Sequence, residues 1–171
     1  SERPVRADAH AGVMLVNDLL APTHTAAFRI TDFHLWDFRN YAAARLSPAG
    51  SSVVLWGPNG AGKTNLLEAV SLLAPGRGLR GARLAEIDRR GGGPFRLTAC
   101  IATADGLRAL ETWHETAGDR RLVRLEHETP RTPVELAHFA GIIWLTPAMD
   151  RLLAEAPAAR RRFLDRLVLA H

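Results

Sequence analysis

At 171 residues the chain has room for one domain with a proper core, and its 47% apolar composition excludes a disordered polymer. Its one cysteine, Cys100, excludes intramolecular disulfides and cysteine metal sites, reads as a core residue and fits a reducing cytoplasm. A formal net charge of +4 weakly favours anionic partners, and no apolar run reaches membrane-spanning length, so no membrane partner is expected.

Residues 1–27 are poorly patterned and read as an N-terminal extension. Within them Val13 to Leu20 suits a short helix or a pairing segment. Phe28 to Trp36 reads as a strand, Asp37 to Tyr41 as a turn into a second extended segment, and Leu46 to Gly50 as another turn. Ser52 to Trp56 is apolar and β-branched and predicts a buried strand.

Gly57-Pro58-Asn59-Gly60-Ala61-Gly62-Lys63-Thr64 then fits G-x-x-x-x-G-K-[ST] without a mismatch. Thr64 to Ala74 follows as a helix, with Leu66, Leu67, Val70, Leu73 and Ala74 at helical spacing. Gly57, Gly60 and Gly62 allow the curled backbone of a nest whose N–H groups meet phosphate oxygens at the start of a helix. Lys63 suits the β- and γ-phosphates of ATP, and the Thr64 hydroxyl suits Mg2+. Asn59 is a candidate donor to the γ-phosphate, and Asn65 extends the binding segment. Lys63 is also the only lysine, every other residue of the Lys plus Arg count of 22 being arginine. A compact ammonium enters a tight nest where a planar guanidinium does not. The alternative is a glycine-rich turn capping a core helix.

Gly91-Gly92-Gly93 marks a joint, and Phe95 to Thr103, Leu107 to His114 and Arg121 to Glu126 read as an antiparallel meander. Pro133 to Phe139 suits a short helix with Thr132 as its cap, and Gly141 to Leu145 a buried strand. Ala158 to Ala170 predicts an amphipathic helix, with Phe163, Leu164, Leu167 and Val168 on one face. Arg160, Arg161, Arg162 and Arg166 on the other face suit either a solvated surface or a DNA or partner contact. The four tryptophans sit in strand-like runs and read as core.

Phe38-Arg39-Asn40-Tyr41, Gly57 to Ala69, Gly76-Arg77-Gly78-Leu79-Arg80, Thr146 to Asp150 and Arg160-Arg161-Arg162-Phe163-Leu164-Asp165 together resemble the RecF family of bacterial DNA replication and repair ATPases. The resemblance covers Phe28 to the C-terminus. It implies an α/β P-loop NTPase fold, the ABC/SMC-type head subdomain, with an antiparallel β-meander and a C-terminal helix. Residues 28–171 would be the N-terminal portion of that head. It also implies an ATP-dependent homodimer, DNA bound at gaps or single-strand/double-strand junctions, and Arg39 beside the nucleotide phosphates, with a plain surface role as the alternative for that arginine. RecO and RecR would be its partners in recombinational repair and SOS induction, in the cytoplasm.

No apolar strand ending in Asp and no Leu-Ser-Gly signature follow Lys63. The resemblance places them beyond a helical arm that starts near Arg160, so this stretch is expected to hold ATP without efficient turnover, and no catalytic residue is assigned. A small P-loop kinase and a non-catalytic nucleotide-binding module remain the alternative readings.

Overall fold

The computed structural model describes residues 12–16, 29–48, 52–103 and 105–138, together with 142, 144 and 161. In chain order the described elements are β1 (Gly12–Val16), β2 (Arg29–Phe38), β3 (Tyr41–Leu46), β4 (Ser52–Trp56), α1 (Lys63–Ser71), α2 (Leu84–Ile87), β5 (Arg96–Thr103), β6 (Gly106–Glu115) and β7 (Arg120–Leu125), with 3-10 turns at Thr116–Gly118 and Pro133–His138. The expected strands at 141–145 and helix at 158–170 lie outside the described residues, apart from half-buried Ile142 and Trp144, which are in no strand, and exposed, helical Arg161.

Five strands form one antiparallel sheet in the order β3-β2-β5-β6-β7. Strict alternation explains it: Phe33 and Leu35, Leu97, Ala99 and Ile101, Leu110 and Val123 all point to one face and are buried. Leu66, Ala69, Leu72 and Leu73 from α1 and its end, Ile87 of α2 and Leu136 join the same cluster. Each such large side chain contributes roughly 1.5–3 kcal/mol by leaving water. Phe38 meets Phe95 edge-on, ring centres 5.6 Å apart.

The other face of the sheet is polar. Asp32 there accepts from Arg45 and Ser47 and bonds His34, and the Arg45 guanidinium holds its carboxyl well below the usual range. Cys100 pairs with Asp32 across β2 and β5 and is only half-buried. The expected core tryptophans are not core either. Trp36 and Trp56 are exposed, and Trp113 is half-buried beneath the Arg124 guanidinium.

β4 forms as expected but is not buried. It pairs antiparallel with β1 in a separate two-stranded sheet, and Val53, Val54 and Trp56 are exposed. Its apolar run describes a strand that, among the described residues, has one neighbour and meets the core only through half-buried Leu55. The β1 pairing answers the ambiguity of the 13–20 segment: Gly12–Val16 is a strand against the strand that enters the glycine loop.

α1 stops at Ser71, three residues earlier than its apolar spacing suggests. Arg121, reaching in from β7, donates to the carbonyls of Leu72, Ala74 (3.0 Å) and Gly76 (2.9 Å). These are the orphan acceptors and the exit loop of the helix, and the cation also suits the negative end of its dipole. Burial lowers the Arg121 pKa to about 10, so the side chain stays charged at neutral pH.

Candidate functional site

The glycine segment leaves β4 at Trp56 and enters α1 at Lys63. Gly57, Gly60 and Gly62 all have positive φ, at 143°, 85° and 98°. Only glycine adopts these without strain, so the turn predicted for phosphate binding is the turn that forms. Pro58, Asn59 and Gly60 are exposed, and Ala61 is half-buried. The Lys63 ammonium folds back over the loop and donates to the carbonyls of Gly57 (2.7 Å) and Pro58 (2.8 Å). The helix N-cap, Gly62, makes no side-chain cap bond, and no acidic residue sits in the first turn of α1. The N–H groups there carry positive potential with no carboxylate of that turn to satisfy it. Thr64 is exposed and its hydroxyl has no hydrogen bond among the described residues.

The β2–β3 turn buttresses this loop residue by residue. A Cβ at Gly62 would lie 2.5 Å from the Tyr41 hydroxyl, so Tyr41 closes on the glycine backbone and tolerates no side chain there. Burial pushes the Tyr41 phenol pKa up. The Asn40 carboxamide oxygen accepts from Asn65 at 2.7 Å. Arg39 takes a left-handed φ of 54°, a conformation that costs an ordinary residue about 1–2 kcal/mol. Three bonds hold it there: its N–H donates to the Ile87 carbonyl at 2.7 Å, and its guanidinium donates twice to Glu68.

Glu68 is the hub. Its side chain is 1% exposed, and both oxygens accept from Arg39, at 2.9 and 2.7 Å. Arg80 adds a third bond at 2.9 Å and also donates to Asn65 at 2.8 Å. Arg39 spends its remaining terminal nitrogen on the Glu86 carbonyl. The side chain expected to lie beside phosphate therefore sits in a buried ion pair behind the loop, in this conformation. Gly76 to Arg80 is fastened through Ser71, whose hydroxyl accepts from the Leu79 N–H at 2.7 Å and donates to the Glu68 carbonyl at 2.6 Å.

The structure thus brings Gly57 to Asn65 together with Asn40 and Tyr41. Glu68 and Arg80 carry parts of the site that the motif alone leaves unassigned. Glu68 was not legible as a buried acid: it stands beside Leu67 in the helix, and it is Leu67 that is exposed, while the basic partners of Glu68 come from outside the helix. Another buried polar group, His114, bridges Asp88 (2.7 Å) and Asp119 (3.1 Å) and stacks on Phe95, at the same end of the sheet as the β2–β3 turn. Among the described residues no group of three or more His, Cys, Asp or Glu forms a metal cluster.

No family model matches the chain. It is 51% identical over 152 residues to the DNA replication and repair protein RecF of Caulobacter vibrioides, covering 85% of this chain and 39% of that protein. It is 48% identical over 154 residues to the DNA replication and repair protein RecF of Mesorhizobium japonicum, covering 88% and 39%. Over this stretch the chain belongs to the RecF family. It spans about two fifths of the length of these curated RecF relatives, at 39% of each.

The solved structure of the recombination mediator protein RecF-ATPrS in the RecFOR pathway superposes with a TM-score of 0.68 at 21% identity, covering 84% of this chain and 38% of that one. The RecF-ATP structure of the same pathway gives 0.67 at 23% identity, covering 84% and 40%. The fold is therefore that of the corresponding part of RecF, a P-loop ABC-type α/β architecture whose larger sheet here is antiparallel. Among the described residues no helix is long and apolar enough to cross a membrane.

Proposed function

We propose that Gly57 to Thr64 binds the phosphates of ATP, and that this chain is the ATP-holding part of a DNA replication and repair ATPase. The observation that carries the reading is the positive-φ glycine loop opening into α1, with the chain's only lysine folded across its mouth. An ammonium held by two backbone carbonyls is one that phosphate oxygens can attract at little cost, because it exchanges neutral acceptors for charged ones. The names of the RecF relatives, and the ATP and ATPrS in the names of the two solved structures, support the same reading.

The free Thr64 hydroxyl at the first turn of α1 fits a Mg2+ ligand. With no acidic cluster among the described residues, it would share the ion with phosphate oxygens and water, and the ion would neutralise polyphosphate charge. The wider reading keeps residues 28–171 as a portion of an ABC-type head preceded by 1–27. The complete protein would dimerise on ATP and act on DNA at gaps or single-strand/double-strand junctions. It would work with RecO and RecR in recombinational repair and SOS induction, in the cytoplasm.

Calorimetric titration of Mg-ATP into the chain and into its Lys63→Ala variant tests the core of this, with phosphate release followed in the same samples. Saturable binding by the parent, weakened by about tenfold or more in the variant through loss of a charged contact, is expected, with slow release. Equal binding by both proteins, or none at millimolar ATP, overturns it. Fast phosphate release would overturn the assignment of turnover to parts outside this stretch.

A further inference from the structure

We infer that His114 is a proton-operated clasp: with hydrogen on both ring nitrogens it ties the end of α2 to the β6–β7 turn, and on losing one proton it lets the turn go. The ring is buried, its side chain 4% exposed, yet it meets a carboxylate at each nitrogen. Nδ1 lies 2.7 Å from Asp88, and Nε2 lies 3.1 Å from Asp119. Ionised carboxylates only accept, so both contacts are hydrogen bonds only when both ring nitrogens donate. A ring with two N–H groups is the imidazolium. A neutral ring has one donor and turns a lone pair toward the other acid.

The charges around the ring come from three elements. Phe95, just before β5, stacks on it with ring centres 6.2 Å apart and brings no charge. Arg121 of β7 stands opposite it in register and is also buried, with its guanidinium turned to the carbonyls at the end of α1. Nearby Arg89 is turned to Asp37, and Glu115 and Arg120 are paired with each other. Asp88 and Asp119 are therefore the acids that offset a cation on this ring beside buried Arg121.

The two arms of the clasp are unequal. The Asp88 side chain is 19% exposed, and its other oxygen accepts from the Phe95 N–H at 2.9 Å. Its chain neighbours are bonded to the β2–β3 turn: the Ile87 carbonyl accepts from the Arg39 N–H at 2.7 Å, and the Arg89 N–H donates to the Asp37 carbonyl at 2.8 Å. Asp119 is 80% exposed, so water can take the place of the ring there. A neutral ring thus keeps the short contact to Asp88 and releases Asp119. Asp119 holds a left-handed φ of 44° at the end of the 3-10 turn Thr116–Gly118, directly before β7 begins at Arg120. The part that lets go is the turn that sets the start of the strand carrying the Arg121 cap of α1.

The test is thermal melting of the parent and of Asp119→Asn from about pH 6 to about pH 8.5, the range across which histidine ordinarily loses its charge. Asparagine accepts the left-handed backbone as aspartate does. Its carboxamide offers an oxygen to a ring N–H or an N–H to a ring lone pair. The variant's contact therefore survives in either state of the ring, whereas the parent's needs the proton. The other histidines titrate alike in the two proteins and cancel in the difference. The parent should melt roughly 2–4 °C above the variant at the acidic end of the range. Stability that a bound proton supplies is lost as pH rises, so this lead should vanish or reverse at the alkaline end. A difference that stays constant across the range overturns the inference, and so does one that grows in the parent's favour as pH rises.

Discussion

Glu68→Leu should cost about 3–5 kcal/mol, because it strips the shared partner from two arginines behind the loop. The Glu68 carboxylate is 1% exposed and takes three charge-assisted bonds; without it Arg39, at 18% exposure, keeps a charge that water reaches poorly, while Arg80, at 41%, can turn to solvent. The Arg39 guanidinium would be left with one carbonyl bond, and its left-handed backbone with only the N–H bond to Ile87. The β2–β3 turn would loosen with it, and that turn carries Asn40 and Tyr41 onto Asn65 and Gly62. Glu68→Gln keeps the shape and one acceptor and should lose less. Chemical denaturation is the readout: a midpoint for Glu68→Leu near that of the parent would mean that the two arginines find solvent freely. A nucleotide affinity unchanged in a folded Glu68→Gln protein would show that the buttress does not shape the loop.

Arg121→Met should be nearly as damaging, by about 3 kcal/mol or more, since several buried acceptors lose their donor together. Met matches much of the arginine stem in length and keeps the apolar contacts, so the loss reports on the guanidinium. The carbonyls of Leu72, Ala74 and Gly76 would be left at the end of α1 with no positive group to offset the dipole. Those residues lie 45 to 49 positions before Arg121, so the contact also ties the helix to the β5–β7 meander. Arg121→Lys should recover part of the loss with a single donor point. For a chain of this length about 3 kcal/mol corresponds to a melting point lowered by roughly 6–12 °C. A shift under about 2 °C would contradict the assignment of Arg121 as the cap of α1.

The sequence carried the meander clearly. β5, β6 and β7 alternate with period two and are separated by Asp-Gly and Thr-Ala-Gly-Asp turn chemistry, and they form within a residue or two of the expected bounds. The glycine loop was legible because its positive-φ positions demand glycine and its lysine stands alone in an arginine-rich chain. Burial was less legible. Val53 and Val54 belong to a β-branched run in either environment, and only the pairing partner decides whether a second face is covered. Leu67 falls in the apolar run after the loop yet is exposed, while Glu68 beside it is buried. An amphipathic count ranks those two residues the other way round; the arginines that make Glu68 the better interior residue arrive from 29 and 12 positions away. The same separation hid the cap on α1. Pairings of this length are set by the sheet topology, which local periodicity does not encode.

Because Lys63 is the only lysine, it is a single-residue reporter at the centre of the site. The most direct measurement is an NMR titration of the 15N-lysine-labelled chain with Mg-ATP, following its one backbone amide and one ammonium signal. The account predicts that both signals move saturably as the ammonium exchanges the Gly57 and Pro58 carbonyls for phosphate oxygens. Two lysine signals that stay in place at millimolar Mg-ATP, in a chain whose melting confirms that it is folded, would contradict it.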